Sequence, residues 1–91
     1  MNQTHKAVVT VLGKDTRGII AKVSGVLFQN DANILDISQT VLSGMFSMVM
    51  IVDLGEGDFQ TLAEELNVLG KEMGLQIRIQ RSEIFDAMHR I

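Results

Sequence analysis

Apolar and polar positions change rhythm several times along this chain, and each change predicts a structural element. Lys6 to Leu12 is β-branched and almost wholly apolar, as in a central strand buried on both faces. Ile19, Ile20, Val23, Val26, Leu27 and Asn30 then follow helical spacing, with Lys22, Ser24, Gly25 and Gln29 elsewhere around that helix. Asn30 or Asp31 can end it in the left-handed conformation that glycine usually supplies. From Asn33 to Leu42 the period becomes two. Leu35, Ile37 and Val41 (with Gln39) point one way and Asp36, Ser38 and Thr40 the other, which predicts an edge strand. Ser43-Gly44 is a two-residue turn, so Met45 to Asp53 should pair back as a hairpin. Gly55-Glu56-Gly57 breaks that strand, and Asp58 suits an N-cap. Phe59, Leu62, Ala63, Leu66, Leu69 and Met73 mark a second helix that Gly74 stops. Leu75, Ile77 and Ile79 alternate with Gln76, Arg78 and Gln80 in a last, half-exposed strand. Ile84, Phe85, Met88 and Ile91 form an apolar stripe on a possible terminal helix.

The order β-α-β-β-α-β predicts an α+β, ferredoxin-like fold formed by residues 1–91 as a single domain. Right-handed crossovers place both helices on one face of a four-stranded antiparallel sheet, with a short C-terminal helix added. The first and third strands lie in the centre and the other two at the edges. Phe46, Met48, Met50 and Val52 oppose Val49 and Ile51, so the third strand is apolar on both faces. Leaving such side chains in water forgoes roughly 1.5–3 kcal/mol each. The expected cover is a second protomer, with the stripe from Ile84 to Ile91 used as part of it. The alternative is a monomer whose tail closes its own sheet.

Composition narrows the function classes. Ninety-one residues with 46% hydrophobic content make one core, and no apolar stretch approaches the roughly 18 residues that span a bilayer. The first residues lack the apolar segment of a signal peptide, so a soluble, cytoplasmic protein is expected. The absence of cysteine excludes disulfides and thiol chemistry. A net charge of −3, scattered basic residues and no Trp or Tyr argue against nucleic acid as a partner. No membrane partner is expected either.

Gly13-Lys14-Asp15-Thr16-Arg17-Gly18-Ile19 holds the chemistry of most interest. A turn that ends a strand and opens a helix gathers unpaired amides and the positive end of a helix dipole at one spot, which suits a small carboxylate. Gly18 allows close approach by a ligand, or else relieves packing between helix and sheet. Asp15 could bind an ammonium group or simply cap the helix, and the two roles can coexist. Gly13 and Gly18 satisfy half of a phosphate-loop pattern, but Ile19-Ile20 stand where Lys-Ser/Thr is essential, so nucleotide hydrolysis is rejected.

Other candidate chemistry dissolves on inspection. His5 and His89 lie at opposite ends without metal-ligand spacing. Glu64 and Glu65 point about 100° apart on a helix. Ser24, Ser38, Ser43, Ser47 and Ser82 lack a neighbouring base motif. Met45, Met48, Met50 and Met73 read as core residues. No catalytic group, metal or cofactor is expected, and the protein is read as a non-enzyme.

The chain resembles the ACT-domain family, and in particular small stand-alone members close to the ACT domains of glycine-cleavage repressors and formyltetrahydrofolate deformylases. The resemblance rests on Val11-Leu12-Gly13-Lys14-Asp15, Gly18-Ile19-Ile20-Ala21, Asn33-Ile34 and Asp36-Ile37-Ser38-Gln39-Thr40. Gly44, Phe46-Ser47-Met48 and the ending Ile84-Phe85-Asp86-Ala87-Met88 add to it, so that it covers essentially the whole chain. It implies an allosteric regulatory module that binds an amino acid or related carboxylate at a homodimer interface and passes its output to a separate regulated protein. The ligand would lie between the first turn of one protomer and the start of the second strand of its neighbour. Carried over to this chain, the turn contributes Asp15, Gly18 and the Ile19 amide, and the strand contributes Asn33 and Ile34. Many members carry proline before the glycine; Arg17 stands there here, either adding a cation for a carboxylate or remaining solvated. Asp36 and Gln39 enter as candidates for ligand or interface contact, although edge strands carry such residues for solubility alone. A purely structural oligomerisation module is the competing reading.

Overall fold

A computed structural model describes residues 5–81. Six elements follow in the order β1 (Lys6–Lys14), α1 (Ile19–Gln29), β2 (Asn33–Leu42), β3 (Met45–Asp53), α2 (Phe59–Met73) and β4 (Leu75–Arg81). One sheet runs β2-β3-β1-β4, and every pairing is antiparallel. This is the ferredoxin-like βαββαβ arrangement, with β1 and β3 central. The terminal stripe from Ile84 to Ile91 lies outside the described residues.

The core sits between the sheet and its two helices. Alternate residues of the central strands, Ala7, Val9 and Val11 with Met48, Met50 and Val52, are at most 1% exposed. Ile19, Val23 and Leu27 of α1 meet them from above at four-residue spacing, and Leu62, Leu66 and Leu69 do so from α2. Asp58 caps α2: its Oδ2 accepts from the Thr61 amide at 3.1 Å and the Thr61 hydroxyl at 2.7 Å. Gly74, with φ 70°, ends that helix, and its amide donates to the Gly70 carbonyl. At the end of α1 the left-handed residue is Asp31 (φ 60°), while Asn30 reaches across to α2 and donates to Glu65 Oε1 at 2.8 Å.

The structure corrects several expectations. β1 continues to Lys14, so Gly13 and Lys14 pair with β3 instead of forming the turn. β1 is not buried throughout on both faces: Val8 is buried, but Thr10 and Leu12 on the same side are exposed. A bulge between Ile34 and Asp36 makes Leu35 the extra residue of β2, which breaks the period of two that grouped it with Ile37 and Val41. Ile20 and Met45, expected inside, are 38% and 47% exposed: Ile20 borders a cleft between α1 and β2, and Met45 lies on the sheet face away from the helices. Gly70 joins the core, since a Cβ there would lie 2.8 Å from the Leu75 carbonyl oxygen where α2 crosses the start of β4.

Candidate functional site: a cleft between helix α1 and edge strand β2

β1 ends beside the β2–β3 hairpin, because Lys14 pairs with Met45. The turn that follows is tied to that hairpin by the Asp15 amide, which donates to the Gly44 carbonyl at 2.8 Å. Ser43 and Gly44 both have positive φ (53° and 79°), as expected for a two-residue hairpin turn matched to strand twist. Gly18 then takes φ 83° and ψ 11° as the N-cap of α1. A Cβ on Gly18 would find nothing within 4 Å, so the glycine is required by backbone conformation and not by crowding.

This geometry leaves the start of α1 without a cap. Gly18 has no side chain to offer, Asp15 does not occupy the capping position, and the first turn holds no acidic residue. The first main-chain bond of the helix runs from the Lys22 amide to the Gly18 carbonyl at 3.0 Å. The amides of Ile19, Ile20 and Ala21 therefore precede the intrahelical ladder and carry the positive end of the helix dipole.

They border a cleft of about 410 Å³. Asp15, Thr16, Gly18 and the first turn of α1 form one wall, Gln39, Thr40 and Val41 of β2 form the other, and Phe46 contributes from β3. Phe46 is 4% exposed and Ile19 3%, so the base is fixed by the core. One end of the cleft thus offers free amides, and the remainder is largely apolar with a carboxamide and a hydroxyl at the side.

Of the residues singled out in the sequence, Asp15, Gly18, Ile19 and Gln39 come together here. Arg17 is exposed in the turn and does not line the cleft. Asn33 and Ile34 lie at the other end of β2, in register with Asp53 and Val52, whereas Gln39 is in register with Met48. Asp36 is in register with Ile51, on the sheet face away from the helices, and its Oδ1 accepts from the Ile37 amide at 2.9 Å. Thr16, Ile20, Ala21, Thr40, Val41 and Phe46 were missed. The signal that finds Val41 and Phe46 is the hairpin itself: a Ser43-Gly44 turn puts them opposite each other, and antiparallel pairing of β3 with β1 places Phe46 beside Gly13.

The family model for the ACT domain matches residues 5–80. The chain belongs to the ACT-domain family. A UPF0237 protein of Methanocaldococcus jannaschii is 49% identical over 88 residues, covering 94% of this chain and 98% of that protein. Among solved structures, an ACT domain protein from Streptococcus pneumoniae superposes with a TM-score of 0.79 at 42% identity, over 93% of this chain and 97% of its own. A glycine cleavage system transcriptional repressor gives 0.76 at 27% identity, over 88% of this chain and 47% of the repressor. A formyltetrahydrofolate deformylase from Burkholderia mallei gives 0.79 at 18% identity, over 85% of this chain and 28% of the enzyme, a likeness of fold. Among the described residues of this ACT domain, no group of three or more His, Cys, Asp or Glu is placed to hold a metal ion. No described helix is long and apolar enough to cross a membrane.

Proposed function

We propose that this ACT domain is a non-catalytic regulatory module that binds a small amino acid, or a related carboxylate, in the cleft between α1 and β2. The uncapped amides of Ile19, Ile20 and Ala21 at the mouth of that cleft carry the reading. They favour a carboxylate, Asp15 and Gln39 offer acceptors to an ammonium group, and the apolar base accepts a small side chain.

The site is completed by a second copy. Among the described residues β2 is an edge strand of the sheet, and apolar side chains stand exposed on it and on α1: Ile37 is 41% exposed, Val41 53% and Phe28 of α1 80%. Such an edge is a template for strand pairing. Antiparallel pairing of two β2 strands about a twofold axis sets the start of one beside the end of the other. The partner's Asn33 and Ile34 then approach the cleft, which gives those residues the role that their place within one chain does not. A ligand touching both protomers binds the paired state better than the open one, and that differential affinity is what regulation requires. Ile37→Lys should abolish the dimer in sedimentation experiments while leaving the monomer folded.

A thermal-shift screen with the common amino acids and related small carboxylates tests the reading. A ligand at about a hundred times its dissociation constant adds roughly 2.7 kcal/mol, or about 10–20 °C in a domain of this size. A shift that Gln39→Ala reduces supports the ligand site. A dimer that no compound stabilises, and whose properties survive Gln39→Ala, would leave the structural oligomerisation module in its place.

A further inference from the structure

The helical layer carries a second depression, on the other flank of α1. Ile20 faces the cleft; Val26, about 120° away around the helix, faces α2. There Val26, Val68 and Leu69 lie together with Glu64, Glu65 and Glu72 around a groove of about 400 Å³. Leu69 is 8% exposed and belongs to the core, whereas Val68 is 54% exposed. A lone exposed valine is ordinary; its place between carboxylates is what matters. Glu65, Val68, Leu69 and Glu72 stand at i, i+3, i+4 and i+7 of α2. They share one face of the helix, with a carboxylate at each end of an apolar pair, about 10.5 Å apart along the axis.

Asn30 fixes one of those ends. Its Nδ2 donates to the Val26 carbonyl and to Glu65 Oε1, both at 2.8 Å. The Glu65 carboxylate is thereby held across the groove, and its second oxygen stays available to another donor. Ordering that side chain in advance lowers what a partner must spend on it.

Charge decides the occupant. Among the described residues, no lysine or arginine lines the groove, and Lys71 of α2 borders a separate cavity beside β4. A second copy laid helix to helix on this face would set its own Glu64, Glu65 and Glu72 against the same three residues. In return each described helix offers a single lysine, Lys22 or Lys71. Like charges so placed oppose self-association.

We infer that this groove docks a basic amphipathic helix of a different protein. Aliphatic side chains of that helix cover Val26, Val68 and Leu69, lysine or arginine residues two turns apart meet Glu65 and Glu72, and Glu64 attracts a further basic group at the outer rim. The groove and the ligand cleft lie on different flanks of α1, so the inference stands whether or not a carboxylate fills the cleft.

The probes are two synthetic peptides of about 14 residues, or four helical turns. One carries leucine along one face and lysine beside it; the other has glutamate in place of every lysine. Amide spectra of the full chain should show saturable shifts centred on Val26, Glu65, Val68 and Glu72 with the lysine peptide and none with the glutamate peptide. Glu65→Gln combined with Glu72→Gln should weaken the lysine peptide roughly tenfold, as the loss of two exposed ion pairs does. Val68→Lys, at an exposed helix position that leaves the fold intact, should abolish the saturable shifts. Asp53→Asn, at the end of β3 away from the groove, should leave the affinity unchanged. Absent binding, equal binding of both peptides, shifts centred on Leu12, Met45 and Val49 of the opposite sheet face, or an affinity that survives the groove variants would each overturn the inference.

Discussion

Replacing Gly18 separates a conformational requirement from a packing requirement at the mouth of the cleft. The residue has φ 83°, and a Cβ added to it would meet nothing within 4 Å. The cost of a substitution therefore comes from the left-handed backbone, about 1–2 kcal/mol for an ordinary L-residue. A side chain also restricts the unfolded chain, which returns about 0.4–1 kcal/mol. Gly18→Ala should then destabilise by about 1 kcal/mol net, a fall of about 4–8 °C in melting temperature for a domain of this length. Asn tolerates the left-handed region better than Ala, and a β-branched residue tolerates it worse. Urea titrations should accordingly rank Gly18→Asn above Gly18→Ala, and Gly18→Ala above Gly18→Val, with a constant m-value. A crowded site would rank the variants by size instead, with Ala the mildest. Asn proving more damaging than Ala would refute the argument, and with it the claim that this glycine exists to set the direction of the α1 amides.

Leu27 is fully buried between α1 and the sheet, and Leu27→Ala should cost about 2–5 kcal/mol in a denaturant titration. Two helix glycines should respond with opposite signs. Gly70→Ala places a Cβ 2.8 Å from the Leu75 carbonyl oxygen and should lower the melting temperature, whereas Gly25→Ala meets nothing within 4 Å and should raise it. The gain at Gly25 is limited to about 1 kcal/mol by helix propensity. Asp58 gives a pH dependence of known sign. Its carboxyl is held below the ordinary carboxylate range, first by the Thr61 hydroxyl and then by the Thr61 amide. The cap is at full strength above the ordinary pKa of the unfolded chain and is lost as pH falls through the depressed folded value. Wild type should exceed Asp58→Asn in stability at neutral pH, and urea midpoints of the two chains should converge in acid.

Local patterns made the architecture legible. The bounds of β2, β3 and α2 follow directly from the period-two run ending at Leu42, the Ser43-Gly44 turn, and the Asp58 and Gly74 signals. Leu35 was not legible, because a bulge inserts one residue without any local mark such as glycine. Exposure at the β2 edge was hidden for a different reason. Ile20 and Val41 satisfy helical and strand patterns as well as any core residue, and only the opening of a cleft between α1 and β2 leaves them exposed. Half of the candidate site was readable in the turn, where Asp15, Gly18 and Ile19 are neighbours in sequence. The opposing wall was partly visible at Gln39, but Thr40, Val41 and Phe46 reach the cleft through strand register. Asn33, Ile34 and Asp36 were grouped with it by family resemblance, and register places them elsewhere within the chain.

The amides that open α1 are the centre of the account, and isotope-edited amide spectra recorded during titration with amino acids observe them directly. Saturable shifts led by Ile19, Ile20 and Ala21, with Gln39 following and the far end of β3 unmoved, are the predicted result. A ligand that saturates the protein while leaving those three signals in place would contradict it.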